Sequence, residues 1–249
     1  MADLAVLVTM HSETVIAGPS FRSADDAIAE AEKAGFTVER LIGVDNATPE
    51  TEAYLAQPYF DNWRKIPYSF KDQGLVRNAL AEAATAKWLA FLDADDLFSE
   101  NWLVEAATRL KAAEEAGEKL IVHPEFNWFF EGIASLLCKI GQDDPNYAPY
   151  YYYFGNYYDA LCVAPRQAHL DHPYAKRDIP NGFAREDWQW SIETTAGGWF
   201  HEILPDTVIF KRRQADSQSG AAGRRQAQVR DLEAMRIDQI RTLGVRKTN

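Results

Sequence analysis

The stretch Lys87 to Glu100, KWLAFLDADDLFSE, sets three carboxylates, Asp93, Asp95 and Asp96, within four residues at the end of the apolar run Trp88 to Leu92. A continuous apolar run of strand length fits a strand buried on both faces of a parallel sheet. The acids then stand at its carboxyl end, where open α/β sheets bind ligands. Neighbouring acids repel one another, a divalent cation offsets the repulsion, and hard oxygen ligands suit Mg²⁺ or Mn²⁺. A second acid, Asp45, closes another β-branched run and is followed by turn formers. It is placed to meet a ribose or a base, or else to end the strand or cap a helix opening at Pro49. Arg185-Glu186-Asp187-Trp188 puts acids at a helix start, where they suit the helix dipole. A carboxylate there, in a partly dry cleft beside Trp188 and Trp190, would gain proton affinity. Arg212 and Arg213 open a polar loop able to face phosphates, and His11 is a loop histidine, solvated or touching a nucleotide.

The elements that must position these residues read in a β-α-β rhythm. Leu4 to Thr9 is a buried strand, Ser23 opens a helix through an S-x-x-D cap and Gly35 stops it, and Thr37 to Val44 is the next strand. That order favours a parallel pair with a right-handed crossover. Ile66 to Ser69 is a short edge strand, Gln73 to Thr85 a helix, and Ser99 caps a long helix closed by Gly117. From Pro124 to Pro165 the pattern turns irregular and aromatic, with Ile133 to Ile140 expected as a helix. The tyrosine-rich stretch Tyr147 to Tyr158 packs against the sheet for the most part, with one or two residues left to stack on a sugar. A strand over Thr207 to Lys211 precedes a final amphipathic helix from about Arg224 to Leu243. That helix is expected to dock on the domain, pair with another chain or lie near anionic lipid.

The 249 residues carry a net charge of -11, which argues against a nucleic-acid partner because such proteins need basic surface. The segment from Lys211 onward is the exception, with ten basic residues against four acidic. Cys138 and Cys162 are too few and too distant for a zinc cluster and read as buried thiols. No signal peptide or bilayer-length apolar run is evident, so a cytoplasmic location is expected, peripheral to the inner face of a membrane if the last helix binds lipid.

Three patches in one order resemble the family 2 glycosyltransferases of GT-A fold. They are Gly74 to Asn78 with Ala86 to Asp96, like a G-x-x-x-RN helix and a strand ending in D-x-D-D; Arg185 to Trp188, like the acidic E-D-W element; and KRRQADSQS, Lys211 to Ser219, like the loop that closes the site. The resemblance implies a Rossmann-like, mostly parallel sheet flanked by helices with a carboxyl-terminal helical extension. It divides the chain into a GT-A domain over residues 1–219, nucleotide-binding to 123 and acceptor-binding from 124, and a helix over 220–249. It also implies an inverting transfer of a sugar from a nucleoside-diphosphate sugar, UDP-linked, to a carbohydrate or glycolipid hydroxyl, in polysaccharide or glycoconjugate synthesis. Under it Asp45, Arg77 and Asp93 hold the nucleotide side, Asp95 ligates Mn²⁺ or Mg²⁺, Arg212 and Arg213 face the diphosphate, and Asp187 is the base. Glu186, Asp96, Trp188 and His11 are secondary candidates. The chain lacks the histidine many relatives carry in the Lys211 to Ser219 loop and their P-x-Y-N in the first loop. Two rivals stand beside this reading: a non-catalytic sugar-binding module of the same fold, and a haloacid dehalogenase-like phosphatase, which also uses D-x-D.

Overall fold

The computed structural model describes residues 1–213 and 226–244. In chain order these give β1 (Leu4–Met10), α1 (Gly18–Lys33), β2 (Val38–Asp45), α2 (Pro49–Leu55), β3 (Arg64–Tyr68), α3 (Gln73–Ala83), β4 (Trp88–Asp93) and β5 (Leu97–Phe98). There follow α4 (Trp102–Ala116), β6 (Leu120–Phe130), β7 (Ser135–Cys138), β8 (Val163–Pro165), α5 (Arg166–Asp171), α6 (Glu186–Ala196), β9 (Phe200–Arg212) and α7 (Ile237–Ile240). The described strands form one mixed sheet in the order β3-β2-β1-β4-β8-β6-β9-β5, with β7 beside β6. The first four are mutually parallel, as the β-α-β rhythm requires.

Their apolar runs explain the stacking. Every residue of β1 is buried, and Leu89 to Leu92 of β4 are buried with it, between α3 on one face and α1 and α4 on the other. Such burial drives the sheet at roughly 25 cal/mol per Å² of apolar surface. Register then fixes the site: Thr9 of β1 pairs with Gly43 of β2 and with Asp93 of β4, so Asp45 and Asp93 emerge on the same edge. The close approach of β2 to α3 requires a glycine. A Cβ on Gly43 would stand 2.8 Å from Val76 Cγ1 and 2.9 Å from Leu80 Cδ1. Gly43→Ala is therefore expected to cost about 1–3 kcal/mol of unfolding free energy by overpacking, read as a lowered denaturation midpoint.

The second half closes the cleft. β8 runs antiparallel to β4, bringing the residues before it back to the carboxyl end of β4. β9 runs parallel to β6 and antiparallel to β5, which lays Arg212 against the turn carrying Asp96.

Several expectations are corrected. α1 begins at Gly18, with Pro19 in its first turn, and Ser23 sits inside it, donating its hydroxyl to the Ser20 carbonyl. α4 begins at Trp102 rather than directly after Ser99, whose hydroxyl donates to Asn101 and accepts from the Val208 amide. Residues 133–140 are not a helix: Glu131 and Gly132, both at positive φ, turn the chain so that β7 pairs with β6. Positive φ at Glu131 and Gly132 lets the five residues between Phe129 and Ser135 reverse the chain. Cys138 on β7 is exposed, while Cys162 is buried as expected.

The amphipathic helix expected over 224–243, the helical extension of the fold, is replaced over 226–244 by an extended segment, one 3₁₀ turn (Glu233–Met235) and the four residues of α7. Its backbone is engaged elsewhere: Gln228 N–H donates to the Gly182 carbonyl, and the Gln228 carbonyl accepts from Ala184 N–H. Ile240 and Leu243 pack with Tyr152 and Ile192. The expected boundary at 219/220 lies outside the described residues, and the expected division at 123/124 falls inside β6.

Candidate active site

A cleft of about 840 Å³ opens over the carboxyl ends of β1, β2 and β4 and is walled by β6, β9, the residues before β8 and the start of α6. Asp45, Asp93, Asp95, Asp96 and His11 line it together with Asp187 and Arg185 from the start of α6 and with Arg212 and Arg213. Of the sequence candidates, Arg77, Glu186 and Trp188 do not line it.

Asp93 is the most firmly held acid. Its Oδ1 accepts from Arg77 Nη2 at 2.7 Å, Gln73 Nε2 at 2.7 Å and Thr9 Oγ1 at 3.0 Å. Burial pushes its proton affinity up, but Arg77, Lys211 and these hydrogen bonds outweigh burial and hold it below the ordinary carboxylate range. Arg77, only 4% exposed, lies beneath Asp93 rather than beside a ligand. It does not line the cleft itself but holds Asp93, in keeping with the expectation that it helps hold the nucleotide side.

Asp45 Oδ1 accepts from the Phe70 amide at 2.6 Å and the Asn46 side chain at 2.8 Å, and the His11 ring contacts the Asp45 carbonyl oxygen. Asn46, Lys71 and Arg185 hold positive φ, and each adjoins or lines the cleft. Backbone strain of this kind concentrates at ligand sites.

The next two acids differ from Asp93. Burial, Asp93 and Glu13 push Asp95 up to about 6. Burial also pushes Asp96 up to about 7, opposed by Lys211. Asp96 accepts the Arg212 amide at 2.7 Å and faces Lys211 Nζ at 3.6 Å, so it ties β9 to the turn. No group of three or more His, Cys, Asp or Glu side chains among the described residues is arranged to hold a metal. Asp95 nonetheless suits a dication, since neighbouring acids raise its proton affinity and a positive ion relieves that repulsion. Mg²⁺-type sites often take one or two carboxylates and complete their shell with substrate phosphates and water.

Across the cleft, Arg185 in the left-handed region starts α6, and Asp187 occupies its first turn. Asp187 Oδ1 accepts from the Trp188 amide at 2.8 Å. Burial, then Glu186 and Asp159, push its carboxyl up to about 6. The two tryptophans pack away from the cleft lining. Trp190 is buried in the main core, stacked on His169 at 4.8 Å, and Trp188 packs toward the Tyr152 cluster. Arg212 pairs with Glu131, and the Arg213 guanidinium lies 4.2 Å over the Phe129 ring. Gln214 to Ser219, the rest of the expected closing loop, lie outside the described residues.

Sequence reasoning missed a charged group at the cleft floor. Lys211 Nζ stands 3.6 Å from Asp159 as well as from Asp96, Lys139 Nζ stands 3.4 Å from Asp159, and Asn127 Nδ2 donates to Asp159 at 2.5 Å. Only Lys211 lay within a recognised motif. Asp159 and Lys139 sit in stretches whose local pattern says nothing of a site.

A Rossmann-like half sheet with acids at parallel strand ends, and a mixed half supplying a facing carboxylate, defines a GT-A glycosyltransferase fold. Solved structures agree on that fold. S. aureus TarS matches at TM-score 0.60 and 11% identity, over 86% of this chain and 37% of that one. TarS 1–349 in complex with UDP-GlcNAc matches at 0.58 and 13%, over 86% and 60%, and TarS 1–349 alone at 0.59 and 14%, over 97% and 70%. The chain thus spans well under half of the full TarS chain. Residues 24–127 match the family model described as glycosyl transferase family 2. That match over residues 24–127, with the shared fold, supports a family 2 glycosyltransferase domain and speaks against the phosphatase reading. No curated protein matches it in sequence.

Proposed function

We propose that the chain transfers a sugar from UDP to a carbohydrate or glycolipid hydroxyl with inversion at the anomeric carbon, in polysaccharide or glycoconjugate synthesis. One observation carries this reading: a single cleft is lined both by the Asp45, Asp93 and Asp95 acids and by a carboxylate of raised proton affinity, Asp187. Uridine as the base draws on the UDP-GlcNAc and UDP complexes of TarS.

In this reading Asp45 receives the uracil or ribose, and Asp93, fixed by Arg77, receives the nucleotide next to the diphosphate. Asp95 holds Mn²⁺ or Mg²⁺, which when bound neutralises charge on the diphosphate. Arg212 and Arg213 supply further positive charge to the leaving group. Asp187 Oδ1 is engaged by its own helix, so Oδ2 accepts the proton of the acceptor hydroxyl. The acceptor oxygen bonds to the anomeric carbon from the face opposite the diphosphate, and the sugar–phosphate C–O bond breaks with its electron pair leaving on the diphosphate. One attack opposite one leaving group inverts the centre. No described helix is long and apolar enough to cross a membrane. The expected association with a second chain or with lipid through a terminal helix has lost its helix.

The pH dependence follows from Asp187. A base whose carboxyl is pushed up to about 6 is protonated and idle below that pH and competent above it. Turnover at saturating donor is expected to rise roughly tenfold per pH unit below about 6 and level off above it. Release of UDP from UDP-GlcNAc and other UDP-sugars, with and without Mn²⁺ and simple saccharide acceptors, tests the function. Metal-stimulated, acceptor-dependent release supports it. UDP-sugar binding without hydrolysis or transfer on any acceptor would return the chain to the non-catalytic module.

A further inference from the structure

The charged group at the cleft floor is built more elaborately than diphosphate binding or base catalysis requires. Lys139 has a 1% exposed side chain, and buried lysines are tolerated only when paired. It converges with Lys211 on Asp159, whose Oδ1 also accepts from the Leu161 amide at 3.0 Å. The Asp159 carboxylate is thereby largely saturated, whereas each ammonium retains donors beyond the pairs described. Asn127, 2% exposed, gives its amide N–H to Asp159, yet its amide oxygen has no protein partner. A buried acceptor left unpaired costs about 1–3 kcal/mol, so it calls for a hydroxyl or water. All four residues line the cleft.

Placement and charge identify what they meet. Lys211 touches Asp96, in the turn that carries Asp95, and also Asp159, whose field reaches Asp187. The group therefore shares the cleft lining with the proposed diphosphate anchor and the proposed base and touches the former through Asp96, within reach of a ring in transfer. Two lysines face two carboxylates, Asp96 and Asp159, so the group offers little net positive charge to an anionic substituent. Spare N–H donors beside an unpaired carbonyl are the complement of sugar hydroxyls.

We propose that Asn127, Lys139, Asp159 and Lys211 form the subsite that reads the hydroxyls of the transferred sugar, and that this sugar is uncharged. The assignment rests on the donor reading above and extends it to donor specificity. A site built to hydrogen-bond a hydroxyl rejects analogues that misplace it.

Calorimetric titration of the full chain with Mn²⁺ and with UDP, UDP-glucose, UDP-galactose, UDP-N-acetylglucosamine and UDP-glucuronic acid tests this. The wild type is expected to separate the uncharged epimers by about tenfold or more in Kd and to bind UDP-glucuronic acid most weakly. Asn127→Ala, the mildest change, and Asp159→Asn should collapse the epimer ratio toward one while the Kd for UDP itself moves by less than about threefold. A purely structural role would weaken UDP and every UDP-sugar together and keep the ratio. That result, or UDP-glucuronic acid ranking first, overturns the proposal. Failure of wild type to bind UDP sinks the donor reading, and this subsite with it.

Discussion

Asp187→Asn is expected to lower kcat by about 100- to 10,000-fold, the usual worth of a positioned base, while leaving the Kd for UDP nearly unchanged. The amide is isosteric, and the Trp188 N–H can still donate to its carbonyl oxygen. It cannot accept the acceptor proton. The same substitution should not lower the melting temperature. Burial, Glu186 and Asp159 raise the Asp187 carboxyl to about 6 in the folded chain, so at neutral pH the fold bears an ionised group it disfavours. With a folded value above the unfolded one, the folded state binds the proton more tightly, and stability from this group declines as pH rises from about 4 toward 6. An uncharged amide removes that penalty, so Tm should be equal or higher by up to about 4 °C at pH 7.5. Lost turnover with a lowered Tm and weakened UDP binding would instead mark Asp187 as a structural residue.

Arg77→Leu is expected to be the most destabilising substitution in the donor half, at about 3–5 kcal/mol, because it leaves Asp93 buried without its main countercharge. Arg77 lies only 4% exposed and reaches Asp93 Oδ1 at 2.7 Å. Asp93 is held below the ordinary carboxylate range, so its stabilising contribution is present above the unfolded pKa of about 4 and is lost as pH falls below it. The difference between wild type and Arg77→Leu should therefore be largest near pH 7 and shrink below about pH 4. Urea unfolding at several pH values measures this. The double variant Arg77→Leu/Asp93→Leu, with no orphaned charge, should recover part of the loss in stability and none of the UDP binding. A pH-independent loss, or a double variant worse than the sum of the singles, would refute the pair as the anchor of β4.

Much of the parallel half was legible because its signals are local. Apolar runs marked β1, β2 and β4, and the helix stops at Gly35 and Gly117 are both left-handed as expected. Asp93 at the end of β4, Asp95 and Asp96 in the turn after it, Asp45 and Asp187 could be placed from strand ends and a helix start. The closing half was less legible because it depends on pairing between distant segments. β6 and β9 pair across some 80 residues of chain, and neither Phe126 to Phe130 nor the residues after it carry a period that reveals the hairpin. The tyrosine-rich stretch packs less than expected: Tyr152 and Tyr158 are buried and Tyr157 and Tyr158 line the cleft, but Tyr150, Tyr151 and Tyr153 are exposed. Arg77 was recognised as helping to hold the nucleotide side, but the sequence does not show that it does so through Asp93 from outside the cleft. Asp159 and Lys139 come together only when β6, β7 and β8 assemble, and no spacing in the sequence announces that.

The central claim is that the acids at the ends of β2 and β4 hold a nucleoside diphosphate together with a divalent cation. Titration calorimetry of UDP, with GDP, ADP and TDP as controls, against wild type and Asp95→Asn in the presence and absence of Mn²⁺ tests it most directly. UDP should bind wild type selectively, with an affinity that Mn²⁺ raises by about tenfold or more, and Asp95→Asn should abolish the Mn²⁺ effect. Binding of no nucleoside diphosphate, or an undiminished Mn²⁺ effect in Asp95→Asn, would contradict it.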